Sequence, residues 1–303
     1  MPDTALLARL QELKRQRNAV ILAHNYQRPE VQDAADFTGD SLGLSREAAR
    51  TDADLILFCG VHFMAETAAI LCPGKTVLIP DPNAGCPMAN MVTPRELREA
   101  KAKHPGAVVV CYVNSSAEIK AMSDLCCTSS NAVAVVRSVP RDRAVLFIPD
   151  RSLGDWVAKQ LGRELILWPG YCPTHHRILP EHVEAARRVH PGAKVVVHPE
   201  CLEEVIALAD HVASTSGILR YCTQSPATEF LIGTEIGMLH PLQKANPAKA
   251  FYALTKLSDC PNMKLTTLEK MVWSLEETIY RVEVAPDVAA HARRAIERML
   301  AIA

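Results

Sequence analysis

The stretches His104-Pro105-Gly106-Ala107-Val108-Val109-Val110-Cys111 and His190-Pro191-Gly192-Ala193-Lys194-Val195-Val196-Val197 repeat one phrase, a turn and then a short apolar strand, 86 residues apart. A third strand of this kind, Ala19 to Ala23, starts 88 residues before Ala107, so the period runs through the chain. A charged helical stretch rich in Ala and Leu precedes each strand. About 22 positions past each alanine comes a small polar segment that opens a helical pattern: Asp40-Ser41-Leu42-Gly43, Thr128-Ser129-Ser130-Asn131 and Ser214-Thr215-Ser216-Gly217. Further apolar runs complete each copy: Leu55 to Cys59 and Val77 to Pro80, Ala144 to Ile148 and Leu165 to Trp168, Glu229 to Ile232 and Ala250 to Leu254. Strands alternating with helices of this length form βαβ units with parallel sheets. The expected fold is α/β: three similar αβα three-layer domains with small parallel sheets, arranged with pseudo-threefold symmetry around a central active site. Residues 1–88 with 261–303 are expected to form the first, 89–173 the second and 174–260 the third. Thr266 to Ala303 reads as two amphipathic helices packing back on the first.

The bulk composition fits this division. A chain of 303 residues suits two or three units, and 49% hydrophobic with 22% charged residues is globular. A net charge of −1 with interleaved signs gives no basic face, so nucleic acid is not an expected partner. Met1 to Arg17 reads as a charged amphipathic helix and not a signal peptide, and no apolar run is long enough to span a membrane. A cytoplasmic protein is expected. Its 10 cysteines would then be buried thiols, ligands or catalysts, not disulfides. None has the CxxC spacing of a zinc ribbon or a thioredoxin-like centre.

Counted from the repeat's alanine, Cys86, Cys172 and Cys260 fall at positions 67, 65 and 67, each in a Cys-Pro pair just after the last strand of its copy. Ligands gather at the carboxyl ends of parallel strands, so three copies around one axis would bring these thiols to one centre. Three soft thiolates suit an iron–sulfur cluster with one iron open or a zinc ion with a fourth ligand, and three packed thiols stand as the bland alternative. Cys59, Cys72, Cys111, Cys126, Cys127, Cys201 and Cys222 lack the threefold placement and are expected in the core.

The same register superposes side chains. Five residues past each alanine lie His24, Tyr112 and His198; seven past lie Tyr26, Asn114 and Glu200. Positions two apart share one side of a strand, so all six should face a common cavity. Histidines and Glu200 exchange protons, Tyr26 donates or accepts, and Tyr112 with Asn114 can hold a carboxylate. Ser41, Ser129 and Thr215 are expected to begin helices, where unpaired N–H groups bind anions, although N-capping alone would also place them there.

The segments Ala23-His24-Asn25-Tyr26, Gly39-Asp40-Ser41, Asn83-Ala84-Gly85-Cys86-Pro87-Met88, Tyr112-Val113-Asn114, Cys127-Thr128-Ser129-Ser130-Asn131-Ala132, His198-Pro199-Glu200-Cys201, Ser214-Thr215-Ser216-Gly217 and Cys260-Pro261-Asn262-Met263-Lys264 together resemble the quinolinate synthase family, over essentially the whole chain. The resemblance implies a [4Fe–4S] cluster on Cys86, Cys172 and Cys260. It implies condensation of iminoaspartate with dihydroxyacetone phosphate to quinolinate in NAD biosynthesis, with an L-aspartate oxidase as a transient partner. It carries substrate binding to His24, Ser41, Tyr112, Asn114, Ser129, His198, Glu200 and Thr215, with Ser214 joining the anion site, and proton transfer to Tyr26 and Glu200, with His198 beside them. Some relatives carry a CxxCxxC run at the last ligand; here Cys260 stands alone, so a regulatory disulfide there is not expected. Rival readings are a cluster-dependent hydro-lyase, a non-catalytic iron or redox sensor, and a zinc-binding structural protein.

Overall fold

A computed structural model describes residues 4–302 of the chain. The first helix runs Thr4–Gln16; residues 1–3 of the expected stretch, and Ala303 at the other end, lie outside the described residues. The strands are β1 Ala19–His24, β2 Phe37–Gly39, β3 Leu55–Cys59, β4 Thr76–Leu78, β5 Val108–Tyr112, β6 Leu125–Cys127, β7 Val145–Ile148, β8 Ile166–Leu167, β9 Lys194–Val197, β10 His211–Val212, β11 Glu229–Gly233 and β12 Ala250–Ala253. They form three four-stranded sheets, ordered β2-β1-β3-β4, β6-β5-β7-β8 and β10-β9-β11-β12, and every strand pair in them is parallel. The chain is thus an α/β protein of three similar units, as the repeat implies.

Why the central strands form is plain from their composition. Val20, Ile21, Leu22 and Ala23 in β1, like Val195 to Val197 in β9, are apolar without alternation and buried, the pattern of parallel strands covered by helices on both faces. Burying each Leu or Ile contributes about 1.5–3 kcal/mol. The edge strands β2, β6 and β10 were not expected, because two or three residues such as His211-Val212 carry no periodicity to detect.

Their register is fixed instead by a polar device. Asp36, Asp124 and Asp210 each stand 17 positions past the repeat's alanine. Each carboxylate accepts the backbone N–H of the central strand, from Ile21 at 2.9 Å and from Val109 and Val195 at 2.8 Å. Each aspartate's own N–H donates back to the carbonyl of that same residue. Edge and centre then pair identically in all three units, Leu22 with Phe37, Val110 with Leu125 and Val196 with His211. Asp124→Ala leaves the Val109 N–H unpaired and is expected to cost about 1–3 kcal/mol, read as a lower midpoint of urea unfolding; an unchanged midpoint would contradict this role.

One apolar core runs through the first two units, while the third has its own clusters on the two faces of its sheet. The C-terminal segment adds to the join. Helix Leu268–Glu277 packs on Thr4–Gln16, and along the open edge of β4 Tyr280 exchanges backbone hydrogen bonds with Ile79 while the Val282 N–H donates to the Val77 carbonyl. Helix Pro286–Ala301 lies against β6 and helix Ala117–Ala121 of the second unit as well as helix His62–Leu71 of the first, through Ala292, Ala295, Ile296 and Met299. Two sheet edges are thereby covered. Among the described residues no helix is long and apolar enough to cross a membrane.

Candidate active site

Loops from the carboxyl ends of strands in all three sheets meet at one cavity of about 150 Å³. Cys86, Cys172 and Cys260 line it, each half-buried, whereas the other seven cysteines are buried elsewhere. The three ligand candidates share one local structure. Cys86-Pro87-Met88-Ala89, Cys172-Pro173-Thr174-His175 and Cys260-Pro261-Asn262-Met263 each lead into a short 3₁₀ turn, at Met88–Asn90, His175–Arg177 and Met263–Leu265. The proline fixes φ and brings no N–H of its own. The backbone N–H groups three residues after each cysteine, at Ala89, His175 and Met263, bear on its sulfur and favour the thiolate, although that of Ala89 makes its hydrogen bond to the Cys86 carbonyl at 3.0 Å.

These N–H groups favour a thiolate, but burial outweighs them. It pushes Cys86 up to about 12, and Cys172 and Cys260 are likewise raised, burial first; Cys86 feels the charge of Cys260, and Cys172 that of Cys86. Three sulfurs lining one cavity, each held as a thiol by burial, fit a multivalent soft cation or cluster that would supply the compensating charge. A compact hard-ion cage is not what three thiols offer.

The six register residues all line the cavity. The backbone N–H of Tyr26 donates to His24 Nδ1 at 3.2 Å, and that of Glu200 donates to His198 Nδ1 at 3.3 Å. In both units this leaves Nε2 as the protonated nitrogen; His198 Nε2 stands 3.2 Å from Ser129 Oγ. Burial lowers His24 to about 4 and His198 to about 3 from 6.5, so both are neutral at pH 7. The unfolded chain then binds more protons than the native one below pH 6.5, and stability is lost as pH falls from there through about 4 and 3. At about 1.4 kcal/mol per pKa unit, His24 alone accounts for roughly 3 kcal/mol. The urea midpoint of the metal-free protein should therefore drop between pH 6.5 and 4, with a shallower slope in His24→Asn; equal slopes would contradict the assignment.

A hydrogen-bonded chain crosses the site. Tyr112 OH donates to Glu200 Oε1, Glu200 Oε2 lies 2.9 Å from His175 Nδ1, His175 Nε2 lies 2.9 Å from Thr234 Oγ1, and Thr234 meets Tyr26 OH at 2.6 Å. His175 Nδ1 is also 3.1 Å from Cys172 Sγ, and its ring stacks on His198 at 4.7 Å. Burial would raise Glu200, but the charge and hydrogen bond of His175, with His198 and Tyr112, hold it below the usual carboxylate range. Burial and the Glu200 charge push both tyrosines well above 10, so they are neutral phenols.

At the other wall, helices Ser41–Arg50 and Thr215–Gln224 point their N-termini inward. Their caps are Asp40 and Ser214, whose side chains accept the N–H of Gly43 and Gly217. Capping thus does not explain Ser41 and Thr215, which line the cavity; Thr215 Oγ1 accepts from Asn25 at 3.0 Å. Ser214 stands behind the lining and contacts Ser130, which also donates to Asp40, so one polar residue from each unit closes this wall. Ser129 was expected to begin a helix, and it does not. Asn131 Oδ1 accepts the Thr128 N–H at 2.8 Å, folding the segment into a turn, and the helix starts at Ala132.

The sequence reading missed His175, Thr234, Asp150 and Glu235. His175 stands where the other repeats have Ala89 and Met263, so a search for threefold matches passes over it. Its signal was the Cys-Pro-x-His spacing, which puts a third-following side chain beside the sulfur. Cys172, His175 and Glu200 offer ligand atoms within 4.8 Å of one another, a smaller alternative metal set inside the same cavity.

The sequence profile of the family described as Quinolinate synthetase A protein matches residues 8–301. Quinolinate synthase of Methanosarcina barkeri is 56% identical over 302 residues, covering all of this chain and 99% of its own. That of Methanoregula boonei is 57% identical over 303 residues with both chains fully covered, and that of Thermodesulfovibrio yellowstonii is 54% identical over 291, covering 96% of each. Likeness of this extent, on a cavity lined by the same motifs that first suggested it, establishes that the chain belongs to the quinolinate synthetase A protein family.

Proposed function

We propose that this enzyme of NAD biosynthesis condenses iminoaspartate with dihydroxyacetone phosphate, releasing phosphate and two waters to give pyridine-2,3-dicarboxylate, with a [4Fe–4S] cluster on Cys86, Cys172 and Cys260. The observation that carries the reading is one cysteine from each of three units in a single cavity beside the Tyr112–Glu200–His175–Thr234–Tyr26 chain. When bound by three cysteines the cluster supplies an iron with an open position, a Lewis acid toward a hydroxyl or carboxylate oxygen.

The protein's own groups have distinct tasks in this reading. Glu200, ionised by its neighbours, takes the proton released on carbon–carbon bond formation, and the chain through His175 and Thr234 connects it to the Tyr26 phenol, which returns a proton to a departing hydroxyl. His24 and His198, neutral and protonated on Nε2, donate to the carboxylates of the aspartate-derived half. Asn114 Oδ1, buried with no protein donor, accepts from its nitrogen, and Tyr112 orients Glu200. The phosphate is met by the N-termini at Ser41 and Thr215 with the Ser129 hydroxyl, Ser214 holding one of those ends in place. An imine exposed to water hydrolyses, so transient delivery by an L-aspartate oxidase in the cytoplasm belongs to the same reading.

The test is anaerobic incubation with dihydroxyacetone phosphate and iminoaspartate made from oxaloacetate and ammonia. Equal amounts of quinolinate and phosphate are expected. Dehydration of simple hydroxy acids with no quinolinate would favour the hydro-lyase. The Cys172, His175 and Glu200 set supports a second reading, a zinc enzyme, which predicts a colourless, air-stable protein with one zinc.

A further inference from the structure

Glu235 is a fully buried carboxylate that the mechanism above does not use. It stands two residues after β11, and its Oε1 accepts the backbone N–H of Cys260 at 2.9 Å. Its Oε2 accepts from Gly237 N–H at 2.7 Å, and the Lys264 ammonium sits 2.9 Å from Oε1. Lys264 belongs to the turn that follows Cys260, yet its Nζ also donates to the main-chain carbonyl of Tyr26, in the first unit. The joint is tight: a Cβ on Gly237 would lie 2.8 Å from both Glu235 Oε2 and Lys264 Nζ and 2.9 Å from the Tyr26 carbonyl carbon.

The second unit has a buried acid at the same place. Asp150, also fully buried, stands two residues after β7; its Oδ1 caps the next helix through Leu153 N–H at 2.8 Å, while its Oδ2 has no hydrogen-bond partner, so it does not hold the Cys172 N–H as Glu235 holds that of Cys260. In the first unit the corresponding residue is Val61, buried and apolar. Of the three cysteine turns, that of Cys260 is hydrogen-bonded to the buried acid after its strand, and it continues through a lysine to another unit.

We propose that Glu235 is a positioning residue that holds the Cys260 turn by its backbone N–H and, with Lys264 as strap, fixes the main chain of Tyr26 relative to that turn. This rests on Cys260 being a cluster ligand. Loss of Glu235 should loosen the ligand turn, whereas loss of Lys264 alone should leave the turn held and free Tyr26.

The experiment uses anaerobically purified full chain. Iron release to excess chelator, measured without substrate, is expected to be about 10-fold faster in Glu235→Gln. It should stay within about 3-fold of the parent in Lys264→Met, because Glu235 still accepts from Cys260. Lys264→Met should instead lower kcat about 10-fold or more with little change in KM. Added to Tyr26→Phe, it should cost less than about 2-fold further, since residues acting through one another are non-additive. A release rate in Glu235→Gln equal to the parent's, or full additivity of Lys264→Met with Tyr26→Phe, would overturn the proposal. If Glu235→Gln does not fold, the additivity measurement decides alone. A parent protein that binds no iron would instead sink the cluster reading on which this one stands.

Discussion

Glu200→Gln is expected to lower kcat by about 10³-fold while leaving the iron content unchanged, within the range that loss of a positioned acid–base group produces. Glu200 is 3% exposed, accepts from Tyr112, and lies 2.9 Å from His175 Nδ1. Burial alone would protonate it; its neighbours keep it ionised. Glutamine preserves the shape and can still accept from Tyr112, but it neither carries the charge nor takes a proton. Substrate binding rests mostly on other groups, so KM should change far less than kcat. A kcat within about 10-fold of the parent would remove Glu200 from proton transfer, and the relay through His175 and Thr234 would lose its starting point.

Cys86→Ala, Cys172→Ala and Cys260→Ala should each abolish activity and lose the brown colour on anaerobic purification, with no graded order among them. The physical reason is the shared turn: each cysteine is followed by a proline and a short 3₁₀ turn, and each has the same half-buried place at the cavity wall. Two sulfurs cannot hold what three hold, and no other cysteine among the described residues lines the cavity, Cys59, Cys111 and Cys222 being buried in the cores. Alanine is the proper replacement, because a serine oxygen could still ligate. Cys222→Ala, by contrast, should keep both colour and activity. Full iron retention in any of the three variants would withdraw that residue from the ligand set.

Much of this was legible before any coordinates. A repeat repeats its register, so the two His-Pro-Gly-Ala phrases fixed where equivalent residues fall; the convergence of Cys86, Cys172 and Cys260 and of the six residues from His24 to Glu200 on one cavity follows from it. The same logic explains what was missed. His175, Glu235 and Asp150 break the threefold match, with Ala89, Met263 and Val61 at corresponding places, and broken symmetry is invisible to a search for symmetry. Edge strands of two or three residues carry too little pattern to find. The repeat register puts Ser129 at a helix start alongside Ser41 and Thr215; Asn131 redirects the segment through a side-chain bond that register cannot reveal. Asp36, Asp124 and Asp210 were in plain view at a constant offset, but an aspartate before a polar cluster reads as loop chemistry until its strand partner is known.

The central claim is that one cysteine from each unit grips a single iron–sulfur core. Its most direct measurement is the iron, acid-labile sulfide and zinc content of the anaerobically purified chain. The account predicts about four iron and four sulfide per chain with negligible zinc. One zinc per chain, with no sulfide, would contradict it.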